Sequence, residues 1–185
     1  MRQFVFATIV ALLAAAPSTA ALEKGVRAPD FATTGSLGGK EFKLQLKQQL
    51  KRGPVVLYFF PKAFTEGCTL ESRAFSQAMP EFKKAGAQVI GMSSDDLATL
   101  KRFSKEECRD AFPVASATPT IVKAYDVTLK AKPELTKRTS YVIDRSGRIV
   151  MVHDDMKWSE HVTKNRPQSG RAQSIGAQVR PPDPT

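Results

Sequence analysis

The chain has 185 residues, 42% of them apolar and 8% aromatic, with 28 basic against 18 acidic side chains and two cysteines. That is enough apolar material for one ordinary domain with a hydrophobic core, which excludes wholesale disorder and a disulfide-stapled miniature. Two cysteines cannot build a cysteine-only zinc site; a structural disulfide, a redox pair and two unrelated thiols all stay open. The net charge of +10 implies attraction to anionic surfaces and names no partner.

In chain order, Arg2 precedes an unbroken small-and-apolar run over residues 4–16, followed by Pro17-Ser18-Thr19-Ala20. A bilayer span needs about 20 apolar residues, so this shorter run reads as a secretory signal over 1–20, cleaved after Ala20; an uncleaved anchor is the lesser alternative. Export places the protein in the periplasm or outside the cell, with no stable membrane association after cleavage and in surroundings where disulfides persist. Without export it is cytoplasmic. The folded domain is expected over 21–164, where Gly38-Gly39 after Ser36 marks a hairpin turn.

Residues 55–60, Val-Val-Leu-Tyr-Phe-Phe, read as a strand covered on both faces, started by Gly53-Pro54 and stopped by Pro61. Over 66–84, Phe75, Met79 and Phe82 recur at helical spacing, with Pro80 as a kink and Gly86 as a stop. A second buried strand covers 88–92. Ser93-Ser94-Asp95-Asp96 then caps a helix with Leu97, Leu100 and Phe103 on one face, ending near Cys108. A short helix is expected over 118–125, a hairpin from 139–144 and 148–153 about Arg145-Ser146-Gly147, and a last helix, packed by Trp158, over 158–164. Residues 165–185 read as a flexible basic tail rich in proline and glutamine; no aromatic interleaves its arginines, so no nucleic acid is expected. This alternation predicts an α/β fold, a mixed central sheet with helices on both faces.

The chemistry concentrates where the first buried strand ends. Pro61-Lys62-Ala63-Phe64-Thr65-Glu66-Gly67-Cys68 puts a cysteine one short loop after the strand, in the first turn of the next helix. Unpaired N–H groups and the positive helix end stabilise a thiolate there. Thr65 can aim its hydroxyl at the same pocket, or serve simply as the helix cap. Pro61 fixes the entering chain. Elsewhere, His153 and His161 lack a ligand spacing that would link them to either cysteine, so neither a metal nor a cysteine–histidine pair is expected from them. There is no Cys-x-x-Cys, no phosphate-binding glycine loop and no dinucleotide fingerprint.

Pro61, Thr65 and Cys68 match the Pro-x-x-x-Thr/Ser-x-x-Cys pattern of the peroxiredoxins. With residues 55–61, Cys68-Thr69-Leu70-Glu71, 86–93 and 138–147, the chain resembles the Q-type group, the bacterioferritin-comigratory-protein branch, over most of 24–164. That resemblance implies a thioredoxin-like fold and a monomeric thiol peroxidase for hydrogen peroxide and organic hydroperoxides. It implies no metal or organic cofactor, and a thioredoxin-like or other dithiol reductant. Carried over by position, Cys68 is the peroxidatic cysteine, Thr65 and Arg138 hold the peroxide oxygens, Pro61 shields the sulfur and Glu71 orients Arg138. Lys137 beside Arg138 leaves a surface charge pair as the alternative for Arg138, and helix-dipole compensation is the alternative for Glu71.

The chain departs from the commonest Q-type pattern, whose resolving cysteine lies five residues after the first, because Arg73 stands there. Cys108 is the other thiol. It falls at the edge of the apolar face of its helix, so partial burial is expected, and a bond to Cys68 needs Cα atoms within roughly 7 Å and hence local unwinding. As a resolving cysteine it makes the enzyme a two-cysteine peroxidase. As a small buried hydrophobe it leaves a one-cysteine enzyme. A third alternative is a permanent Cys68–Cys108 disulfide in a non-catalytic thioredoxin-like binding module.

Overall fold

The computed structural model describes residues 21–167, so the predicted signal over 1–20 and all but the first residues of the predicted tail lie outside the described residues. In chain order the elements are β1 (Ala32–Leu37), β2 (Lys40–Gln45), α1 (Leu46–Arg52), β3 (Val55–Phe59), α2 (Glu66–Lys84) and β4 (Gln88–Ser93). They continue as α3 (Leu97–Glu106), β5 (Val114–Ser116), α4 (Pro119–Ala124), β6 (Thr139–Ile143), β7 (Ile149–Asp154) and α5 (Ser159–Asn165).

β3 is buried along its whole length, and its residues alternate between two cores as strand geometry requires. Val55, Leu57 and Phe59 enter one cluster; Val56 and Tyr58 enter the other. β3 runs parallel to β4, joined to it through α2, and antiparallel to β6. The sheet order is β2-β1-β5-β4-β3-β6-β7, with β1–β2 and β6–β7 as antiparallel outer pairs. Leu46 and Leu50 of α1 and Ile121 and Val122 of α4 fill the first cluster. Phe75 and Phe82 of α2, Leu100 and Phe103 of α3 and Val162 of α5 fill the second. The helices therefore cover both faces of a mixed sheet, as the sequence predicts.

Two close approaches place α2 over the sheet. Gly91 on β4 faces Tyr58 on β3, and a Cβ at 91 would stand 2.9 Å from the tyrosine ring. The missing side chain lets the ring lie over β4 and stack on Phe75 of α2 at 4.5 Å, with its hydroxyl 3.0 Å from Ser72 Oγ. At the far end a Cβ on Gly53 would meet the Gly86 oxygen at 2.1 Å, so the start of β3 and the exit of α2 touch through backbone alone.

The structure adds to and corrects the sequence reading at a few points. α2 continues through Pro80 as one helix. α3 stops at Glu106, so Cys108 lies in the following turn, with Arg109 and Asp110 both left-handed (φ 51° and 56°). Cys108 is fully buried, against the partial burial expected, because that turn folds it under α2 instead of continuing the exposed edge of α3. β1, α1 and β5 carry too few apolar residues in register to announce themselves. The predicted turn at Gly38-Gly39 is the β1–β2 turn, with φ +58° and +76°.

Candidate active site

The site is assembled where β3 ends. Phe60 closes the strand, Pro61 is half-buried, and Phe64 turns left-handed (φ 62°) so that Thr65 can enter α2 in extended conformation. Thr65 O accepts the first helical hydrogen bond, from Thr69 N–H at 2.9 Å. The Thr65 side chain does not cap the helix: its hydroxyl donates to Lys62 O at 2.9 Å and tightens the loop. Cys68 follows in the first turn, where backbone N–H groups have no carbonyl a turn earlier to bond. Its side chain is 1% exposed.

Arg138 sits in the residue before β6, five per cent exposed, beside the sulfur. Its Nη2 donates to Cys68 Sγ at 3.3 Å and its Nη1 to Glu71 Oε2. Cys68 and Glu71 are three residues apart on α2 and so share one face, which is why a single guanidinium reaches both. The alternative of a surface charge pair does not fit this burial. Lys137 instead bonds Asp154 at 2.6 Å on the other side of the strand. Arg138 is held from behind by Met156, whose main-chain oxygen accepts from Nε at 3.1 Å and whose thioether sulfur lies 3.4 Å from the Arg138 amide.

Electrostatics follow from burial. Burial pushes the Glu71 carboxyl up to about 8, although the Arg138 guanidinium pulls the other way. For Arg138 burial works against the charge, but Glu71 and Cys68 outweigh it and hold the group above its ordinary value. Burial pushes His161, 0% exposed on α5, down to about 4. Burial also pushes the Cys108 thiol well up, so it is a neutral thiol. Glu71 keeps its proton in the folded state to about 8, against 4.5 when unfolded, so its share of stability is present below 4.5 and lost as pH rises through 8. Urea unfolding of wild type and Glu71→Gln is expected to show wild type losing ground to the variant by roughly 1.4 kcal/mol per pH unit inside that window. A difference independent of pH would contradict a raised Glu71.

Of the six candidate residues, Cys68, Arg138 and Glu71 meet directly, while Pro61 and Thr65 form the loop over them. Cys108 lies apart. It packs against Ser72, one turn or about 6 Å further along α2 than Cys68. Arg73 Nε holds Glu107 at 2.7 Å and so pins the Cys108 turn to α2. Sequence reasoning missed His161, Ser140 and Met156. Ser140 had a usable clue, since Arg138 and Ser140 alternate onto one face of β6. The two histidines carried none, because their rings come together, centroids 4.4 Å apart, only through the β7–α5 turn.

Residues 25–152 match the AhpC/TSA family. The chain is 34% identical over 134 residues to the chloroplastic peroxiredoxin Q of Oryza sativa subsp. japonica, covering 72% of this chain and 60% of that protein. It is 30% identical to peroxiredoxin Bcp of Escherichia coli (strain K12), covering 74% of this chain and 90% of the relative. The chain thus spans about 60% of the length of the plant proteins and nearly all of the bacterial one. Among solved structures, peroxidoxin BcpB from Mycobacterium tuberculosis superposes with a TM-score of 0.70 at 28% identity, over 86% of this chain and 99% of that one. Peroxiredoxin Q of Xanthomonas campestris gives 0.61 at 27%, over 78% and 90%. With the loop, the helix-end cysteine and the buried arginine in place, these likenesses make the chain a member of the AhpC/TSA family, in its peroxiredoxin Q/Bcp group.

Proposed function

We propose that the chain is a thiol-dependent peroxidase that reduces hydrogen peroxide and organic hydroperoxides in antioxidant defence. The observation that carries this reading is the Arg138 guanidinium at 3.3 Å from a helix-end cysteine sulfur. A guanidinium there stabilises a thiolate and offers hydrogen bonds to an incoming peroxide. The Cys68 thiolate attacks the terminal oxygen of ROOH, the O–O bond breaks, and RO⁻ leaves to take up a proton as water or alcohol. The sulfur is left as sulfenic acid. Arg138 stabilises the charge that moves from sulfur to the leaving oxygen, and the Thr65 hydroxyl, released from Lys62 O, donates to a peroxide oxygen. Pro61 keeps water from the sulfur, and Glu71 holds the guanidinium in place.

In the second half-reaction the Cys108 thiol condenses with the sulfenic acid, forming a Cys68–Cys108 disulfide and releasing water. A thioredoxin-like dithiol then reduces that bond and becomes a disulfide itself. Support comes from Cys108 packing one turn along α2 from Cys68, and from its turn, where two successive left-handed residues cost on the order of 1 kcal/mol each and favour opening. The opposing observation is the full burial of Cys108 in the reduced protein, which favours a one-cysteine enzyme resolved by an external thiol. Thiol counting after one equivalent of peroxide decides between them: two thiols lost in wild type and one in Cys108→Ser is the expected result. Loss of a single thiol in both proteins would leave the one-cysteine enzyme. Thiols no more reactive than free cysteine would leave a binding module. Cys108→Ser is also expected to lose turnover with a dithiol donor by roughly a hundredfold or more while its first peroxide reaction stays fast.

The apolar run over 4–16 supports an exported protein working in the periplasm, where the donor is a thioredoxin-like protein of that compartment, and the likeness to the peroxiredoxin Q/Bcp group favours a monomer. Mass spectrometry of the protein from the native cell should give an N-terminus at Ala21; an intact Met1 or Arg2 would overturn cleavage and leave an uncleaved anchor if the protein is in the membrane fraction, or a cytoplasmic enzyme if it is not.

A further inference from the structure

Beneath Arg138, Glu71 and His161 face each other with a contact the peroxide chemistry leaves unexplained. Glu71 Oε2 accepts from Arg138, but Oε1 is buried, has no hydrogen-bond partner and points at His161 Nδ1, 3.8 Å away. The imidazole is fixed by its other neighbours. Its Nε2 lies 2.7 Å from the main-chain oxygen of Asp155, which can only accept, so Nε2 carries a hydrogen. In the neutral ring Nδ1 is then an acceptor, which takes the hydroxyl hydrogen of Ser140 (Oγ at 2.6 Å) and leaves Glu71 Oε1, 3.8 Å away, with no hydrogen to accept.

An ionised carboxylate there would bury one acceptor, Oε1, with no hydrogen to accept. One hydrogen resolves the conflict. It sits on Nδ1 and is donated to Oε1 and to Ser140 Oγ, whose hydroxyl turns to accept, or it sits on Oε1 and is donated to Nδ1 in place of the Ser140 hydroxyl. The carboxyl's last torsion is soft enough to close the gap. The same hydrogen answers an electrostatic difficulty, since a Cys68 thiolate and a Glu71 carboxylate would set two anions on the one Arg138 guanidinium. The other charged or titratable groups around the pair do not remove that imbalance. Tyr58 faces Glu71 from β3, and burial holds it neutral. His153 on β7 touches His161 and is itself held down by burial. Asp155 after β7 adds negative charge, while Lys164 and Glu160 on α5 bond each other at 2.7 Å.

We propose that Glu71 and His161 share one buried proton, which keeps the pair neutral while Cys68 is a thiolate and is released when Cys68 is oxidised. This rests on the peroxidase reading of Cys68 and extends it. Oxidation of the thiolate is Cys–S⁻ + ROOH + H⁺ → Cys–SOH + ROH: sulfur is oxidised, the peroxide is reduced, and RO⁻ takes the proton. Once the sulfur is uncharged, Arg138 has only Glu71 to neutralise, the carboxyl ionises, and its proton balances the one that RO⁻ consumes. His161 acts as a positioning residue: it accepts from the protonated carboxyl and so makes that state the favoured one.

Proton counting tests this with an indicator dye in weakly buffered solution, on the reduced protein mixed with less than one equivalent of hydrogen peroxide. The pH is chosen so that ultraviolet thiolate absorbance shows Cys68 ionised in every protein compared. Wild type is expected to take up no net proton per sulfur oxidised. Glu71→Gln, neutral throughout, and His161→Phe, which removes the acceptor, are each expected to take up one. A role for His161 in packing alone would change stability and leave the proton count untouched. If His161→Phe does not fold, Glu71→Gln decides the matter by itself. Equal uptake in wild type and Glu71→Gln overturns the shared proton. Failure of Cys68 to lose its thiol to peroxide overturns the peroxidase reading instead.

Discussion

Cys68→Ser is expected to abolish peroxide turnover, by at least about four orders of magnitude, or more than about 5 kcal/mol of barrier. The hydroxyl that replaces the thiol does not ionise near neutrality, so Arg138 has no anion to stabilise and the O–O bond meets no nucleophile. The substitution removes little from the fold. Cys68 is buried in a cluster whose mass comes from Phe75, Phe82 and Phe103, and serine is nearly isosteric. The variant should therefore keep its near-ultraviolet circular dichroism while peroxide consumption falls to no more than the rate of a free thiol, because the remaining Cys108 is buried and neutral. Turnover above that rate would remove Cys68 from the mechanism.

Arg138→Met is expected to show the second-largest effect and, unlike Cys68→Ser, to act on two quantities at once. Removing the donor at 3.3 Å from the sulfur should slow oxidation of Cys68 by about 10²- to 10³-fold, the range found when one preorganised donor to a developing charge is lost. It also leaves Glu71, fully buried, without its cation. Breaking such a pair costs roughly 3–5 kcal/mol where the remaining charge stays ionised. The cost should be smaller here because the carboxyl already holds its proton to about 8 beside the guanidinium, and losing Arg138 removes the group that lowers it. Adding Glu71→Gln should recover most of the lost stability and none of the lost rate. Rate recovery in the double variant would mean that Arg138 matters only as a partner for Glu71.

Much of this architecture was legible in the residues. The continuous run from Val55 to Phe60 could only be a strand buried on both faces, and its Pro61 stop, followed by a helical repeat, located Cys68 to the residue. Glu71 was placed beside it by helical spacing alone. Arg138 was legible through family resemblance and through the strand that follows it, which turns Arg138 inward and Lys137 towards Asp154. What stayed hidden depends on contacts made by the turn between β7 and α5. Met156 reads as an exposed methionine, and it is 51% exposed, yet its main chain clamps the guanidinium. His161 reads as one polar residue in a short helix, and only the packing of α5 against α2 carries it under Glu71. Cys108 was misread as half-buried because helical periodicity was extended two residues past the end of α3.

The ion pair between Arg73 and Glu107 has a consequence for timing. In the proposed two-cysteine cycle a sulfenic acid at Cys68 condenses with Cys108 or attacks a second peroxide to give sulfinic acid, and the condensation waits for the Cys108 turn to leave α2. The pair tethers that turn, so it lengthens the wait and fixes the peroxide concentration at which the two fates become equal. Arg73 is 43% exposed and Glu107 12%, so the tether is partly open to salt. Higher ionic strength loosens it and shifts the competition towards the disulfide. In that proposed cycle Arg73 acts as a clock on the second thiol.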